Sequence, residues 1–376
     1  MIFGTWILYR PDAVQVWKNS AVVNRLSWYY KVMKNLKPAK FMIVKRIEVV
    51  EDPRKLDYNG LWELHDELAS EFKKIFEDIK NDKMDLAELG NPEISFLDVK
   101  VEIVKKMLEQ CIFCERRCLV NRAKGERGLI CRLDHRTYVH SWFHHLGEEA
   151  PLVPSGTIFY GSCNFRCVFC QNYDISQTNI YNGIEVTAKE LAVMQKELRS
   201  NGARNINHVG GEPTPNLHTV IESLKYLDVN VPQLWNSNMY LTVESMKLLV
   251  DIIDIWLPDF KYGNNKCAIR LSSAPKYFEI VTRNLKMAIE HGDMIIRHLV
   301  LPNHLECCTK PILKWIAENL PTDKVLVNIM AQYRPEYLVA KHPSRWADIA
   351  RRPTHKEMLE AYTLAKNLGI VFEPVS

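Results

Sequence analysis

Seven apolar runs alternate with helical patterns across the second half of the chain, and that alternation limits the possible folds more than any other feature. The runs fall at 156–160, 204–209, 232–236, 252–257, 294–301, 324–330 and 369–373. The helical patterns fall at about 187–201, 217–227, 242–250, 276–290, 309–319 and 354–367. Two of them open with capping boxes, Thr187 with Glu190 and Thr354 with Glu357, in which a hydroxyl and a carboxylate satisfy each other's free amides. Repeated strand–helix units build a parallel sheet. About six strands precede the helical end, short of the eight that close a full barrel. The expected fold is therefore α/β, a partial (β/α)6 barrel with its chemistry on loops at the carboxyl ends of the strands.

Those loops carry the motifs. Thr157-Ile158-Phe159-Tyr160 leads directly into Cys163, Cys167 and Cys170, a C-x3-C-x2-C triplet. Three thiolates in one loop can hold three irons of a [4Fe-4S] cluster and leave the fourth iron open, whereas most electron-transfer clusters close all four positions with cysteine. A structural zinc loop with a distant fourth ligand is the bland alternative. The next strand ends in Gly210-Gly211-Glu212-Pro213, where glycines permit close approach of backbone to a ligand and a carboxylate can accept from an ammonium. Asn236 ends the third strand, Asp259 and Lys261 follow the fourth, and Arg297-His298 end the fifth. Asp259 and Lys261 could equally be a simple surface ion pair.

Upstream lies a second cysteine group, Cys111-x2-Cys114-x3-Cys118-x12-Cys131. Four cysteines in 21 residues suit one tetrahedral four-thiolate site, with Arg116, Arg117, Arg122 and Lys124 to offset the negative charge. Zinc, a single iron and an auxiliary iron–sulfur cluster all remain open, with a structural role ahead of an electron relay. His135, His140, His144 and His145 read as core or surface histidines, since no H-E-x-x-H pattern accompanies them. Cys267, Cys307 and Cys308 are unassigned, with buried apolar filler the leading reading.

The chain has 376 residues, 47% hydrophobic and 25% charged, with a net charge of +4 too small to select a partner. No stretch reaches the roughly 18 apolar residues of a membrane span. The opening MIFGTWILYRPDA lacks a basic region before its apolar run, which speaks against a secretory signal. Clustered cysteines suggest metal binding in a reducing compartment, hence a cytoplasmic protein. Residues 1 to about 47 carry Arg10, Lys18, Arg25, Lys31, Lys34, Lys37, Lys40, Lys45 and Arg46 against Asp12 alone, with Trp17, Trp28, Tyr29 and Tyr30 among them. This mix could grip RNA, but packing of the aromatics on the main domain is the favoured reading. Residues 60–81 have the apolar spacing of a helix, and the pattern resumes at 101–110. The expected organisation is a basic helical extension over 1–100, a cysteine segment over 101–150 and the barrel over 151–376.

GTIFYGSCNFRCVFCQNYDISQ, HVGGEPTPNLHTV, LPDFKYG, IIRHLVLPNHLE, MAQYRP and RRPT resemble the pyruvate formate-lyase-activating-enzyme-like proteins of the radical S-adenosylmethionine (radical SAM) superfamily, specifically the PflX branch. The resemblance covers residues 111–376. It implies a [4Fe-4S] cluster on Cys163, Cys167 and Cys170 and SAM chelated to the open iron. It also implies an external electron donor such as a ferredoxin or flavodoxin. Gly210, Gly211 and Glu212 would bind SAM, with Phe169, Asn236, Asp259, Lys261 and His298 completing the candidate cofactor set. True activating enzymes carry an aspartate where this chain has Asn236, so the monovalent-cation site of those enzymes is not expected. Phe159, Tyr160, Phe165 and Phe169 would shield the cluster. The expected reaction is reductive cleavage of SAM and hydrogen abstraction from a protein or peptide, with His298, His304, Gln332, Tyr333 and Arg334 lining a lateral opening. An RNA-modifying radical enzyme is the first rival, and a non-catalytic iron–sulfur or zinc carrier the second.

Overall fold

A computed structural model describes residues 6–376; the first five residues of the segment read for a signal lie outside them. Eight strands form one sheet: β1 (Thr137–His145), β2 (Ser155–Tyr160), β3 (Ile184–Val186), β4 (Ile206–Gly210), β5 (Gln233–Ser237), β6 (Ile255–Pro258), β7 (Asp293–Leu299) and β8 (Val325–Met330). Their order is β3-β1-β2-β4-β5-β6-β7-β8. β2 and β4 to β8 run parallel, while β1 pairs antiparallel with both β2 and β3. The parallel part is thus six strands of a barrel left open between β8 and the added edge.

The six helical patterns appear as Ala188–Ser200, Leu217–Tyr226, Val243–Val250, Tyr277–His291, Lys310–Asn319 and His355–Asn367. Both expected capping boxes form. The run at 369–373 is not a strand. Gly369 turns the chain at φ +72 and Pro374 follows closely, so Ile370 and Phe372 are buried by packing rather than by pairing. One bond, from Val327 N to Val371 O at 3.1 Å, is its link to β8. β1 is not expected from the sequence, because its residues mix polar and aromatic side chains without a clean alternation.

Residue alternation gives the sheet two faces. The outer face carries Trp235, Trp256, Ile296 and Val327 into the helical layer. The inner face carries Leu234, Ile255, Leu257, Ile295 and Leu326 at its amino-terminal end, where Val16, Val22, Leu26 and Tyr29 pack on them. The short helices Ser20–Arg25 and Ser27–Met33 therefore stopper the bottom of the open barrel. Trp28 Nε1 donates to Asp254 Oδ1 at 2.8 Å, and the Tyr29 N–H donates to Asp293 Oδ2 at 2.8 Å. Lys40 is fully buried, with Nζ on Val250 O at 2.9 Å. The aromatics that could have stacked on RNA bases are mostly committed to packing. Burial of each such side chain contributes about 1.5–3 kcal/mol.

The Tyr58–Lys80 helix starts at Asp57, whose carboxylate accepts from Gly60 N. It lies against the helix Phe96–Glu109 and buries Leu61, Leu68, Phe72 and Ile79. That second helix begins before the expected 101, because Ser95 and Asp98 form a capping box. At its centre Lys100 Nζ meets Asp251 Oδ2 at 2.8 Å and His65 Nε2 at 2.9 Å in a buried cluster.

Candidate functional site

β2 delivers the cysteine loop to the carboxyl end of the sheet, with Ser162 turning it at φ +77. Cys163 is buried; Cys167 and Cys170 are half-buried. Each sulfur has its own polar neighbour. Asn238 Nδ2 lies 3.8 Å from Cys163 Sγ, Ser272 Oγ donates to Cys167 Sγ at 2.9 Å, and Ser176 Oγ lies 3.3 Å from Cys170 Sγ. Burial, and after it the Glu212 carboxylate, pushes the Cys163 thiol well up. Burial pushes Cys167 up to about 11. These thiols ionise readily only against metal, as thiolate ligands do.

Glu212 is buried at the end of β4. Its Oε1 accepts from Ser237 Oγ and from Thr214 Oγ1, both at 2.6 Å. Its Oε2 accepts from Asn238 N at 2.9 Å. Burial pushes the carboxyl up, and these donors work against that shift. The adjacent glycines also serve the packing of this end of the sheet. A Cβ on Gly211 would sit 1.9 Å from Ser162 O, and one on Gly210, at φ +114, 2.2 Å from Tyr160 N. They let the end of β4 press against the end of β2 and the start of the cysteine loop, so no side chain can stand at either position without moving that backbone.

The upper inner face is polar. Arg297 on β7 lies 3.5 Å from Glu148, 3.7 Å from Glu149 and 3.6 Å from Asp259. Asn328 Nδ2 donates to Glu149 Oε1 at 2.7 Å, and Asn207 Nδ2 donates to Glu148 Oε1 at 3.0 Å. Lys261 closes a tight ion pair on Asp259. Burial opposes the charge on Arg297, but Glu149, Asp259 and Glu148 outweigh it and hold the guanidinium firmly charged. Burial also pushes Glu149 up, whereas His145 and Arg297 overcome burial at Glu148 and hold it down. The two neighbouring carboxyls are thereby set apart, one inclined to keep a proton and the other to lose it. Glu148 and Glu149 have no assigned role in the sequence reading. Their signal is a pair of acids directly before the central strand.

Asn236 also faces inward, register-paired with Leu257. Its Nδ2, Arg297 Nε and Glu149 Oε2 are buried without partners. Buried polar atoms in native folds are normally paired, so a polar ligand in the interior would find donors and an acceptor ready. Phe165 and Phe169 are buried beside the cysteine loop, Phe169 packing edge-on to Tyr333 at 5.5 Å. Phe159 faces inward and stacks on Phe143 at 5.6 Å. Tyr160 points outward, its hydroxyl on His208 Nδ1 at 2.8 Å. It braces β4 and does not shield the cluster.

His298 takes the outer face as well. Its Nδ1 faces Phe260 O at 2.8 Å and its Nε2 faces Thr309 Oγ1 at 2.9 Å, so it is held away from the interior where a cofactor would lie. Successive residues of a strand face opposite ways, and Arg297 occupies the inner position. Among the expected lining residues, the Tyr333 hydroxyl is bonded to Ile349 O at 2.7 Å and Arg334 pairs with Glu336 at 2.6 Å. His304 is buried against Pro302 O at 2.9 Å.

The upstream cysteines pack on the same loop. Arg116 donates to Asn164 O at 3.0 Å, and Ser162 Oγ donates to Cys131 O. Arg122 is fully buried, with Nη1 3.7 Å from Cys111 Sγ and Nη2 on Pro215 O at 2.8 Å. It joins the cysteine segment to the Glu212 loop. A hydrogen bond from Cys118, with Arg122 assisting, holds Cys111 down at about 5. No three of Cys111, Cys114, Cys118 and Cys131 have sulfurs all within 4.8 Å of one another, looser than the single-ion tetrahedron expected of them. The four histidines of 135–145 are likewise not gathered: His144 Nε2 faces Leu198 O at 3.1 Å, and His145 Nδ1 lies 3.3 Å from Glu148.

The donor set of the loop fits an iron–sulfur cluster: three thiols on one turn, a buried carboxylate beside them, and unpaired polar atoms facing inward. The family model of the radical SAM superfamily matches residues 157–316. Cys163, Cys167, Cys170, Glu212 and Arg297 all fall within that span. The chain belongs to the radical SAM superfamily. It is 46% identical over 356 residues to protein MJ0674 of Methanocaldococcus jannaschii, covering 93% of this chain and 100% of that one. Protein MJ0808 of the same organism is 25% identical over 287 residues, 69% of this chain and 78% of the other. Among solved structures, Streptococcus suis SuiB bound to precursor peptide SuiA matches at 15% identity and a TM-score of 0.40, over 56% of this chain and 46% of that one. A radical SAM methyltransferase from Sphaerobacter thermophilus matches at 13% identity and a TM-score of 0.40, over 58% and 65%. The chain spans under half the length of SuiB. Membership in the radical SAM superfamily makes this an enzyme and implies a [4Fe-4S] cluster and SAM. Among the described residues no helix is long and apolar enough to cross a membrane.

Proposed function

We propose that this radical SAM enzyme abstracts hydrogen from a protein or peptide, in the manner of the glycyl-radical activases. The observation that carries this reading is the open, polar interior. β3 is a free edge of the sheet, whereas the C-terminal segment covers β8, Val371 O accepting from Val327 N at 3.1 Å and Ser376 Oγ from Ile329 N at 2.8 Å, so an extended chain would enter on the β3 side. Phe143, 43% exposed, and Phe159 stack near that edge. Further in, Asn207, Asn236 and Asn328 offer amides beside Arg297, Glu148 and Glu149. Amides and one guanidinium suit peptide groups, while a phosphate-rich ligand would call for several cations.

When bound, the cluster and SAM supply a 5′-deoxyadenosyl radical from one electron delivered by a ferredoxin- or flavodoxin-like donor. In this reading Cys163, Cys167 and Cys170 hold the cluster, and Glu212 with Asp259 and Lys261 orients SAM. Phe165 and Phe169 exclude water. Asn236 and Arg297 face the substrate, and the Glu148–Glu149 pair can hold or release a proton beside it. The cysteine segment at 111–131 carries a second metal, and its seat against the cluster loop favours an iron–sulfur relay over a remote structural zinc. The protein would work in the cytoplasm. RNA remains the competing substrate, resting on the lysines of residues 1–47 that stay exposed.

The test is to incubate reduced enzyme and SAM with deuterated proteome, RNA or small-molecule fractions. Deuterium entering 5′-deoxyadenosine from the protein fraction supports the proposal. Label arriving only from RNA or small molecules overturns it.

A further inference from the structure

Cys267, Cys307 and Cys308 come from separate turns of the chain and meet at one point. Cys267 sits in the first turn of the helix Asn265–Ser272, after β6. Cys307 and Cys308 sit in a wide helical turn, Leu305–Thr309, after β7. Among the described residues they are the one group of three potential metal-ligating side chains whose donor atoms all lie within 4.8 Å of one another. Cys267 Sγ is 3.8 Å from Cys307 Sγ, and Cys307 Sγ is 3.9 Å from Cys308 Sγ.

Those separations match one kind of metal centre. With metal–sulfur bonds of about 2.3 Å, sulfurs at tetrahedral corners around one zinc lie about 3.8 Å apart. The corners of an iron–sulfur cluster stand wider, because four irons lie between them. The triad therefore has the spacing of a single-ion centre, which the cysteines at 111–131 lack.

The surroundings suit an ion. Asn264 caps the helix by accepting from Cys267 N at 2.8 Å, and its Nδ2 donates to Cys307 O at 2.6 Å. The same Nδ2 lies 3.4 Å from Cys267 Sγ and 3.9 Å from Cys308 Sγ. One side chain thus fixes both turns and faces the sulfurs with a donor. A Cβ on Gly263 would meet Cys308 O at 2.8 Å and Cys307 O at 2.9 Å, so glycine is needed there for the two turns to approach. Arg270, on the same helix as Cys267, is held charged by Asp348 first and then by Cys267 and Cys307. His304 turns to Arg270 at 3.2 Å and Asp348 at 3.6 Å and is not part of the set. Cys308 is buried while Cys267 and Cys307 are half-exposed, so the fourth position is on the solvent side.

We infer that Cys267, Cys307 and Cys308 bind one thiophilic d10 ion, of which zinc is the representative, with the fourth position open to an external ligand. The same helix carries Ser272, whose hydroxyl donates to the cluster-loop Cys167 at 2.9 Å. The ion clamps that helix to the turn after β7 and so steadies a neighbour of the cluster loop.

The experiment uses the full chain, anaerobically reconstituted with iron and sulfide, then treated with zinc or with a chelator. Each cysteine's alkylation is followed by mass spectrometry. Cys267, Cys307 and Cys308 should alkylate about tenfold more slowly with zinc present, since the bound thiolate is withdrawn from attack. Cys307→Ser, a half-exposed and nearly isosteric change, should lose one zinc per chain with cluster iron unchanged. Cys111→Ala should keep that zinc. Equal alkylation with and without zinc in the unaltered protein overturns the inference, whatever the variants do. So does cluster iron found on these three thiols.

Discussion

The Asn238 backbone N–H donates to Glu212 Oε2 at 2.9 Å, and the same residue's Nδ2 lies 3.8 Å from Cys163 Sγ. The ends of β4 and β5 are thereby tied to each other and to the cysteine loop. Glu212 is positioned by donors from the fold, with carboxylate lone-pair capacity to spare for a ligand. Changing Glu212 to Gln keeps the shape and removes the charge. SAM affinity should fall about tenfold or more, equivalent to about 1.4 kcal/mol, while iron content stays constant. Calorimetric titration of SAM into reconstituted protein reads this, and an unchanged Kd would remove Glu212 from the SAM site.

The three loop cysteines and the four upstream cysteines are predicted to be separable. Cys163→Ala, Cys167→Ala and Cys170→Ala should each abolish the reduced cluster's paramagnetic signal. Cys111→Ala should lower metal content or thermal stability while SAM still binds. Identical iron counts and spectra in all four variants would contradict both assignments.

How much of this was legible in the sequence differs between elements. The cysteine triplet and the strand before it were readable because metal spacing and apolar runs are local signals. The barrel's helix boundaries were readable for the same reason, Thr187 and Thr354 marking their caps within a residue, whereas the helix expected from 101 begins at Phe96. The face each strand residue takes was not. His298 and Arg297 are adjacent in the chain, and only the pairing of β7 with β8 assigns Arg297 inward and His298 outward. Cys267 and Cys307 are 40 residues apart, so no local spacing could join them. The run at 369–373 has strand composition, but Gly369 and Pro374 deny it a partner.

Arg297 has three carboxylates about it, and its removal leaves them facing one another in the interior. Arg297→Met should destabilise the fold by about 3–5 kcal/mol, as loss of one partner from a buried charge group does. Arg297→Lys should cost less. Urea unfolding measures both, and a loss below about 1 kcal/mol for the methionine variant would show that the interior is well hydrated.

Burial holds five imidazoles below their ordinary 6.5: His208 at about 4, His298 at about 4, His218 at about 3, His65 well below it and His291 below it. Their folded values lie below the unfolded one, so the native state binds fewer protons. The stability they contribute is present above pH 6.5 and is lost as pH falls toward 4 and below. His208, His298 and His218 are each worth on the order of 3 kcal/mol over that range. Urea midpoints should fall steeply below about pH 6, and His208→Gln should flatten part of that fall. A profile that is level through this window would refute the neutral buried state.

The central claim is that this chain cleaves SAM reductively at the cluster held by Cys163, Cys167 and Cys170. The direct measurement is chromatographic detection of 5′-deoxyadenosine after anaerobic incubation of reconstituted protein with SAM and a strong reductant. The unaltered protein should form it, and Cys163→Ala, treated identically, should form none. Absence of 5′-deoxyadenosine from protein with a full, reducible cluster, or equal amounts from Cys163→Ala, would contradict the claim.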